Sequence, residues 1–403
     1  MSDTSRTDYD RLVERLTARG LDVAAIEQRL ADHRIETPSW GYANAGTRFG
    51  SYPPAGLPSN PFEKFDDAAE VHRLTGSAPS VAIHIPWDQL ENYGELKAHA
   101  ESLGLEVGTV NPNLFGDQRY KLGSLANPDA AVRRVATDHM LECIEIAREV
   151  GSDAISLWLP DGTNYAGQDS FVARRRRLHE ALTEVYAALD DEMELLVEYK
   201  LYEPAFYASE LGDWGASLLT CQKLGPKAKV LVDLGHHAQG VNIEQIVAFL
   251  EDEDRLGGFH FNNRKYGDDD LIVGSVNPFE LFLIYTELAA MPKLPRLTID
   301  QAFIIESKIE GMVLSVVNLQ EAFAKALLVD RVALAERQAA GDVLGAHELL
   351  LDAFRTDVRP LTAKVREEKG AAADPVAAFR DGDWWERVGS RRTAAATTGG
   401  LGA

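Results

Sequence analysis

Four residues with metal-binding side chains each close, or directly follow, a short apolar segment of the chain. They are Glu198, Asp233, His260 and Asp300. If the four segments are parallel strands of one sheet, their carboxyl ends meet at one edge and the four side chains converge there. Carboxylates gathered in one place repel each other, and a divalent cation relieves that repulsion. The pattern therefore predicts a cation site built from strand ends.

A second set of candidate ligands lies close to the same strand ends. His236 lies three residues after Asp233, and an acidic triplet begins at Asp268. Side chains alternate in an extended segment, so Asp268 and Asp270 are predicted to point the same way while Asp269 points away. We therefore predict a second cation held by His236, Asp268 and Asp270, with Asp233 shared by both sites.

Each of these features also has an ordinary structural explanation. An acidic triplet after glycine is commonly a solvated turn, and a histidine at a strand end is commonly a satisfied polar residue. Their agreement in position on successive strands favours the metal interpretation. Several carboxylates with an imidazole suit Mn²⁺, Mg²⁺ or Co²⁺, and Zn²⁺ fits as well.

Aromatic side chains also lie at or just after the predicted strand ends. Flat aromatic walls suit the apolar faces of sugars, and His84 and Lys200 could bind hydroxyl and carbonyl oxygens beside them. The alternative is that these aromatic residues simply close the core. The residues concerned are Trp40, Trp87, Phe115 and Trp158.

The elements that must position these side chains can be predicted from periodicity. Eight short apolar segments alternate with longer segments of helical periodicity, which indicates repeated strand–helix units and a parallel sheet. Eight parallel strands close a (β/α)₈ TIM barrel, an α/β fold whose active sites lie at the carboxyl ends of the strands. The predicted strands are 34–37, 80–85, 106–110, 154–159, 194–198, 229–234, 258–262 and 296–300.

Helical sequence flanks the predicted barrel on both sides. We predict an N-terminal helical segment at 1–32, the catalytic barrel at 33–306, a C-terminal helical extension at 307–390 and a disordered tail at 391–403. The extension has many apolar positions at helical spacing, which favours contacts with another subunit.

The charge balance limits the partners of the chain. Its 403 residues include 41 Lys and Arg against 63 Asp and Glu, a formal net charge of −22. Nucleic-acid binding requires a basic face and is not expected. No apolar run is long enough to span a membrane, and the N-terminus lacks the pattern of a signal peptide, so a cytoplasmic protein is predicted. The two cysteines, Cys143 and Cys221, are predicted to be buried thiols.

Longer motifs resemble the L-rhamnose isomerase family, specifically its bacterial branch of broad sugar specificity within the xylose-isomerase-like barrels. The likeness covers nearly the whole chain, and its most specific stretches are LVDLGHH and KYGDDDL. The motifs are HIPWD at 84–88, WLPDGTNYAGQ at 158–168, YEPAFY at 202–207, DWG at 213–215, LGPKA at 224–228, LVDLGHH at 231–237, LGGFHFN at 256–262, KYGDDDL at 265–271, ALLVDR at 326–331 and RTDVRP at 355–360.

The resemblance implies a barrel enzyme, usually a homotetramer, with two divalent cations that are commonly Mn²⁺. The ligands carried over by position are those predicted above from the strand ends, with Asp233 shared between the cations. By the same correspondence, His84, Lys200 and Trp158 face the sugar, and Phe49 reaches the pocket of a neighbouring subunit.

Three positions near the predicted pocket depart from the family pattern. Asp300 leads into Gln301 and Ala302, where the family has a polar Ser-His-Asn stretch. Asn263 stands where Asp is common, and Tyr199 stands where better-known members often have His. These departures leave the preferred sugar open.

The implied reaction is the interconversion of an aldose and a ketose. The expected pairs are L-rhamnose and L-rhamnulose, L-mannose and L-fructose, L-lyxose and L-xylulose, and D-allose and D-allulose. Hydrogen moves between C1 and C2 either as a hydride or through an ene-diol. Asp300 is the predicted base of the ene-diol route, with Lys200 stabilising the oxyanion and His236 acting through the second cation.

Other functions remain open on the same barrel. An epimerase or an endonuclease would keep the fold and the cations, but the charge of −22 disfavours an endonuclease. A ketose epimerase would ordinarily place two Glu in the site, where the sequence offers Glu198 alone. A sugar-binding protein with a relict site is the non-catalytic alternative, and the retention of all seven predicted ligands argues against it.

Overall fold

The computed structural model describes residues 3–44, 46–47, 50–51, 56–160, 162–201, 209–303, 305–389 and 392. Eight parallel strands close a barrel in the order β1-β10-β9-β8-β7-β6-β5-β4, and β2 pairs with β3 in a small antiparallel ribbon. The strands are β1 (Glu36–Pro38), β2 (Gly46–Thr47), β3 (Gly50–Ser51), β4 (Ser80–Ile85), β5 (Glu106–Pro112), β6 (Ala154–Leu157), β7 (Glu194–Glu198), β8 (Ala228–Asp233), β9 (Leu256–Phe261) and β10 (Arg296–Ile299).

Helices surround the barrel and extend beyond its last strand. A short 3₁₀ helix at Gln118–Tyr120 lies after β5. The α-helices are α1 (Asp3–Ala18), α2 (Val23–Ala31), α3 (Ser39–Tyr42), α4 (Pro61–Thr75), α5 (Tyr93–Ser102), α6 (Ala130–Val150), α7 (Phe171–Ala188), α8 (Trp214–Leu224), α9 (Ile243–Asp252), α10 (Pro278–Ala290), α11 (Lys308–Leu327), α12 (Arg331–Ala339), α13 (Val343–Arg355), α14 (Arg359–Glu368), α15 (Pro375–Arg380) and α16 (Trp384–Gly389).

The predicted (β/α)₈ barrel is confirmed, and each predicted strand overlaps an observed one. The first strand begins two residues later than predicted, at Glu36, and β6 ends at Leu157 instead of 159. The barrel strands are apolar almost throughout because helices cover their outer face and other side chains fill the barrel interior. Val230 and Val232 on β8, for example, are both fully buried.

Helix caps fix where two barrel helices begin, behind the strands that carry the candidate ligands. The Asp213 carboxylate accepts the backbone N–H of Ala216 at 2.8 Å, and the Asn242 side-chain oxygen accepts that of Gln245 at 2.9 Å. Each cap satisfies a backbone donor that the first helical turn leaves without a partner. The loops that follow β7 and β8 therefore end at defined positions.

The C-terminal segment after β10 is helical, as predicted. Helix α11 is largely buried and packs on α10 and α4, whereas α12 has no buried residue. Val332, Val343 and Leu344 are exposed on α12 and α13. Contact with another subunit at this surface remains a prediction.

Two further expectations from the sequence concern the cysteines and membrane-spanning helices. Cys143 and Cys221 are buried free thiols, as predicted. Among the described residues, no single helix is long and apolar enough to cross a membrane. Helices α11 and α12 meet that criterion only as a pair, bent by 60°.

The predicted tail at 391–403 lies outside the described residues except for Arg392, which is buried. Its guanidinium donates to both oxygens of Asp67 at 2.9 Å and to the carbonyls of Gly56 and Glu63. Burial raises the pKa of Asp67 to about 7 although Arg392 opposes the shift. Arg392 is thereby fixed to the first turns of α4.

We expect Arg392→Met to lower the free energy of unfolding by at least about 2 kcal/mol, because it leaves Asp67 buried without its cation. Arg387→Met is the matched control, since Arg387 forms an exposed pair with Asp383 in the same segment. Its loss should cost less than about 1 kcal/mol. Urea unfolding midpoints of the two variants test this, and equal midpoints would contradict it.

Candidate metal centre and pocket

Four strand ends on one side of the barrel bring the first predicted ligand set together. Glu198 ends β7, Asp233 ends β8, His260 lies one residue before the end of β9, and Asp300 directly follows β10. Asp233 and His260 are register partners in the sheet. One ligand atom from each of the four side chains lies within 4.8 Å of the others. The register of the barrel strands, and not the conformation of a long loop, therefore brings these four side chains together.

His260 lies within 3.8 Å of all three carboxylates of this first group. Its Nδ1 lies 3.2 Å from Glu198 Oε1, 3.4 Å from Asp300 Oδ2 and 3.8 Å from Asp233 Oδ2. Three carboxylates thus surround one imidazole nitrogen. These are the donor types that Mn²⁺, Mg²⁺ and Co²⁺ accept.

A second group lies beside the first and shares Asp233 with it. Asp233, His236 and Asp268 each offer one atom within 4.8 Å of the others. His236 Nε2 lies 3.6 Å from Asp268 Oδ2 and 3.9 Å from Asp233 Oδ2. A carboxylate common to two adjacent donor groups is the arrangement expected of two neighbouring cations.

Hydrogen bonds fix the orientation of the shared carboxylate. Asp233 Oδ1 accepts the side-chain N–H of Asn262 at 2.9 Å and the backbone N–H of Gly235 at 2.6 Å. Asp233 Oδ2 is buried and has no hydrogen-bond partner among the described residues. A buried carboxylate oxygen without a donor is costly unless it binds a cation. The residues present therefore fit a metal ion.

The imidazole of His236 is held in the tautomer that a cation site requires. Its Nδ1 lies 3.0 Å from the backbone carbonyl of Tyr199, which can only accept, so Nδ1 carries the proton. Its Nε2 faces Asp233 and Asp268. Although burial lowers the pKa of His236, these two carboxylates raise it well above its usual value, so a cation bound there would take the place of a proton on Nε2. Metal-binding histidines are commonly oriented in this way by a hydrogen bond from the other ring nitrogen.

The net effect of burial and charge crowding is to raise the pKa values of both Asp233 and His260. Burial raises the pKa of Asp233 to about 7, offset in part by His236 and reinforced by Asp268. Burial alone would lower the pKa of His260, but Glu198, Asp300 and Asp233 raise it to about 9. Protons held here must leave when a cation binds, so cation affinity should fall as the pH falls.

Asp270 differs from the other predicted ligands. The alternation argument applies only if residues 268–270 are extended, and Asp270 does not meet that condition because it has a left-handed backbone with φ of 46°. Alternation therefore gives no information about where its side chain points. Burial and the nearby Asp268, Asp300 and Asp233 hold the pKa of Asp270 well above its usual value. Asp270 is close to the cluster but outside both groups described above, and its role as a ligand stays a prediction.

Lys200 lies between the second group and the aromatic wall. Its Nζ is 2.7 Å from Asp268 Oδ2 and 4.8 Å from the ring centre of Trp158. The side chain is almost fully buried. The role of Lys200 toward a substrate oxygen stays a prediction.

Aromatic rings in mutual contact line the barrel mouth beside the two groups. Trp87 stacks on His84 with ring centres 3.9 Å apart, and Trp40 meets His84 edge to face at 5.6 Å. Phe115 meets Trp158 at 5.0 Å, and Trp158 in turn stacks at 6.3 Å on His236. All of the predicted sugar-facing residues except Phe49 therefore lie on one wall. Phe49 is outside the described residues.

Comparison with known proteins identifies the family. Residues 66–282, more than half of the chain, match the family described as xylose isomerase-like TIM barrel. The chain belongs to this family. Within it, the chain is 44% identical to a probable sugar isomerase of Rhizobium meliloti, over 99% of this chain and 95% of that protein. It is also 44% identical to a probable sugar isomerase of Mesorhizobium japonicum, over 98% of this chain and 94% of that protein.

Solved structures of low sequence identity share the fold. A 3-keto-D-glucoside 4-epimerase from E. coli matches 72% of this chain and 99% of its own, with a TM-score of 0.55 and 15% identity. An L-ribulose 3-epimerase matches 74% of this chain and 98% of its own, with a TM-score of 0.54 and 15% identity. These likenesses support the xylose isomerase-like barrel and carry no information about the reaction.

The departures from the L-rhamnose isomerase pattern have local structural roles in this xylose isomerase-like barrel. The Tyr199 hydroxyl is 2.6 Å from His237 Nε2, behind the second group. Asn263 Oδ1 accepts the backbone N–H of Val276 and of Asn277, which shapes the loop after β9. Neither side chain is among the donor groups of the described residues, so neither replaces a ligand.

One residue and one hydrogen bond of the xylose isomerase-like site were not predicted from the sequence. Asn262 orients Asp233, and the Trp40 indole N–H donates to Asp300 Oδ1 at 2.8 Å. Trp40 was expected only as an aromatic surface. The FHFN motif carried the signal for Asn262, since it ends the strand that supplies His260. For the Trp40 bond we find no signal in the sequence, because it joins the segments that follow the first and last strands of the barrel.

Proposed function

We propose that the protein is a cytoplasmic aldose–ketose isomerase that interconverts L-rhamnose and L-rhamnulose and related sugars, with two divalent cations, preferably Mn²⁺. The observation that carries this proposal is the pair of donor groups sharing Asp233 beside an aromatic wall. The 44% identity to two probable sugar isomerases supports isomerase chemistry. Preference for L-rhamnose rests on the motifs, and a homotetramer is part of the same proposal.

The side chains divide the work of binding and orientation. We assign the first cation to Glu198, Asp233, His260 and Asp300, and the second to His236, Asp268 and Asp270 with Asp233. Bound cations would supply Lewis-acid polarisation of the oxygens on C1 and C2.

The aromatic wall covers an apolar face of the open-chain sugar, and it excludes water from that face. Trp158 supplies one ring of this wall next to Lys200, whose ammonium stabilises negative charge on a sugar oxygen. His84 is buried among Trp40, Trp87 and Phe115 and has no hydrogen-bond partner at Nδ1 among the described residues. That nitrogen is available for a sugar hydroxyl.

The contacts of Asp300 favour the hydride route. A base that removes the C2 proton needs a carboxylate oxygen free to accept it. Asp300 Oδ1 accepts the Trp40 indole N–H, and Oδ2 lies in the first donor group, 3.4 Å from His260. Both oxygens are therefore engaged. The hydrogen on C2 then moves to C1 directly, while a proton moves from the oxygen on C2 to the oxygen on C1.

We expect isomerisation in deuterated water to give product without deuterium on C1 or C2, because a directly transferred hydride does not exchange with solvent. Mass spectrometry or proton NMR of the isolated product measures this. Deuterium bound to carbon would instead support the ene-diol route with Asp300 as base. A non-enzymatic incubation of the same sugar controls for background exchange.

A substrate screen tests the proposed function. The protein, supplied with Mn²⁺, is incubated with L-rhamnose, L-mannose, L-lyxose, D-allose and D-allulose, and the products are separated by chromatography. We expect ketose from at least one aldose, fastest from L-rhamnose, and no turnover after exhaustive chelation. Full activity after chelation, or no conversion of any sugar with Mn²⁺ or, in parallel incubations, with Mg²⁺, Co²⁺ or Zn²⁺, would refute the proposal.

The same screen separates isomerase from epimerase chemistry. An epimerase would convert D-allulose into another ketose without producing an aldose. Within the described residues, Glu198 is the one glutamate of the two donor groups, which does not match the pair of glutamates expected of a ketose epimerase. Sugar binding without any product would favour the relict site.

A further inference from the structure

A buried carboxylate lies directly behind the aromatic wall. Asp88 follows Trp87 at the end of β4 and is completely inaccessible to solvent. Its Oδ2 accepts the Ser39 hydroxyl at 2.5 Å and the backbone N–H of His84 at 2.8 Å. Its Oδ1 accepts the ammonium of Lys64 at 2.5 Å. Asp88 thus binds groups from three separate elements.

Burying this ion pair has a large desolvation cost, so stability alone does not explain it. The side chains of Lys64 and Asp88 are 7% and 0% exposed, so both charges have lost nearly all of their water. Removing two charges from water often costs more than their attraction returns, and a well-packed apolar pair would serve stability as well. What an apolar pair cannot do is accept the bonds from Ser39 and His84. The buried ion pair is therefore explained by the residues that those bonds fix.

Both bonds fix the backbone at or next to a residue of the aromatic wall. Ser39 is the first residue of α3, and the next residue is Trp40, whose indole N–H donates to Asp300. His84 is the ring that Trp87 stacks on and Trp40 meets edge to face. Asp88 therefore joins the loop after β1 to the end of β4 at the point where each contributes a wall residue.

We propose that Asp88 is a positioning residue that holds Trp40 and His84 in the orientation the sugar requires, with Lys64 as its charge partner. Asp88 does not face the pocket and touches no substrate. This inference rests on the proposed function only in taking the wall to be the sugar-binding surface.

Ser39→Ala is the sharpest test, because it deletes one hydroxyl and leaves the buried ion pair intact. We expect KM to rise about fivefold with kcat changed less than about twofold, since the Ser39 hydroxyl donates to Asp88 behind the wall and not to a side chain of the two donor groups. In a Trp40→Phe background the same substitution should change KM by less than about twofold, because residues that act through one another are not additive. Equal factors in both backgrounds would refute positioning through Trp40.

A matched control removes a buried hydroxyl elsewhere. Thr286→Val deletes the bond from the Thr286 hydroxyl to the Phe282 carbonyl in α10 and should leave KM unchanged. The double variant Lys64→Met with Asp88→Leu removes both buried charges together, so neither is left unpaired, and it also removes the acceptor of the Ser39 and His84 bonds. It should raise KM at least as much as Ser39→Ala. A wild-type KM in this double variant would overturn the proposal.

Acrylamide quenching of tryptophan fluorescence tests the role of Asp88 without any turnover, so its outcome does not depend on the proposed reaction. The difference in acrylamide quenching between the wild type and Trp40→Phe isolates the accessibility of Trp40. Ser39→Ala should increase that difference, whether or not any sugar is isomerised. An unchanged difference would contradict the role of Asp88 even in an active isomerase.

Discussion

Replacing His236 by Asn is expected to lower kcat by about 10²- to 10³-fold while the barrel stays folded. His236 presents Nε2 toward Asp233 and Asp268, and its other nitrogen is fixed by the Tyr199 carbonyl. Asparagine is too short to reach the same point. Asp268→Asn should have a similar effect, because it removes a charged oxygen from the same group. Metal analysis after dialysis should show about one fewer ion per subunit in either variant.

Asp269→Asn is the matched control for Asp268→Asn within the acidic triplet. The Asp269 carboxylate accepts the backbone N–H groups of Lys265, Tyr266 and Gly267 and so closes the loop on itself. An asparagine side-chain oxygen can accept the same bonds. We expect wild-type metal content and turnover within about twofold. Equal losses in the two variants would show that the triplet acts as a turn and not as a ligand source.

The barrel could be predicted because its signal is repeated. Most strands are apolar on both faces, and each barrel strand is followed by a helix, so an error at one strand leaves the count of eight intact. The first strand shows the limit: Glu36 begins it, and Pro38 ends it. Three residues are too few for a pattern to fix their boundaries. Positions near strand ends were predicted well because barrel geometry itself places Glu198, Asp233 and Asp300 together.

The parts of the site that depend on loops could not be predicted in the same way. Alternation assumes an extended chain, and Asp270 with its positive φ breaks that assumption. The bond from Trp40 to Asp300 joins residues 260 positions apart in the sequence. Arg392 and Asp67 are even further apart, and their types alone suggest ordinary surface charges. Only the closed fold reveals that such pairs are buried partners.

Asp233→Asn is expected to lower kcat more than any other single substitution. In the chelated protein, the same substitution is expected to raise the melting temperature. Asp233 is shared by both donor groups in the described part of the chain, so its loss should remove both cations and lower kcat more than His236→Asn does. Metal analysis should show two fewer ions per subunit, where the His236 variant loses one.

The stability effect follows from the two oxygens of this side chain. Oδ1 accepts the N–H groups of Asn262 and Gly235, and an asparagine oxygen accepts both equally well. Oδ2 has no donor and lies near Glu198 and Asp268. A side-chain amide N–H₂ at that point can donate to the carboxylates that Asp233 repels. We therefore expect the chelated variant to melt about 1 to 3 °C above the chelated wild type.

Added Mn²⁺ separates this explanation from a general stabilising effect. A ligand that binds only the folded state raises its melting temperature, so Mn²⁺ should stabilise the wild type and leave Asp233→Asn unchanged. Asp330→Asn, at the cap of α12, keeps its bond to the Ala333 N–H and should behave as the wild type in both conditions. If chelated Asp233→Asn melted below the chelated wild type, the carboxylate would be contributing to the fold itself. Buried charge at this position is instead expected to be retained for cation binding at the expense of stability.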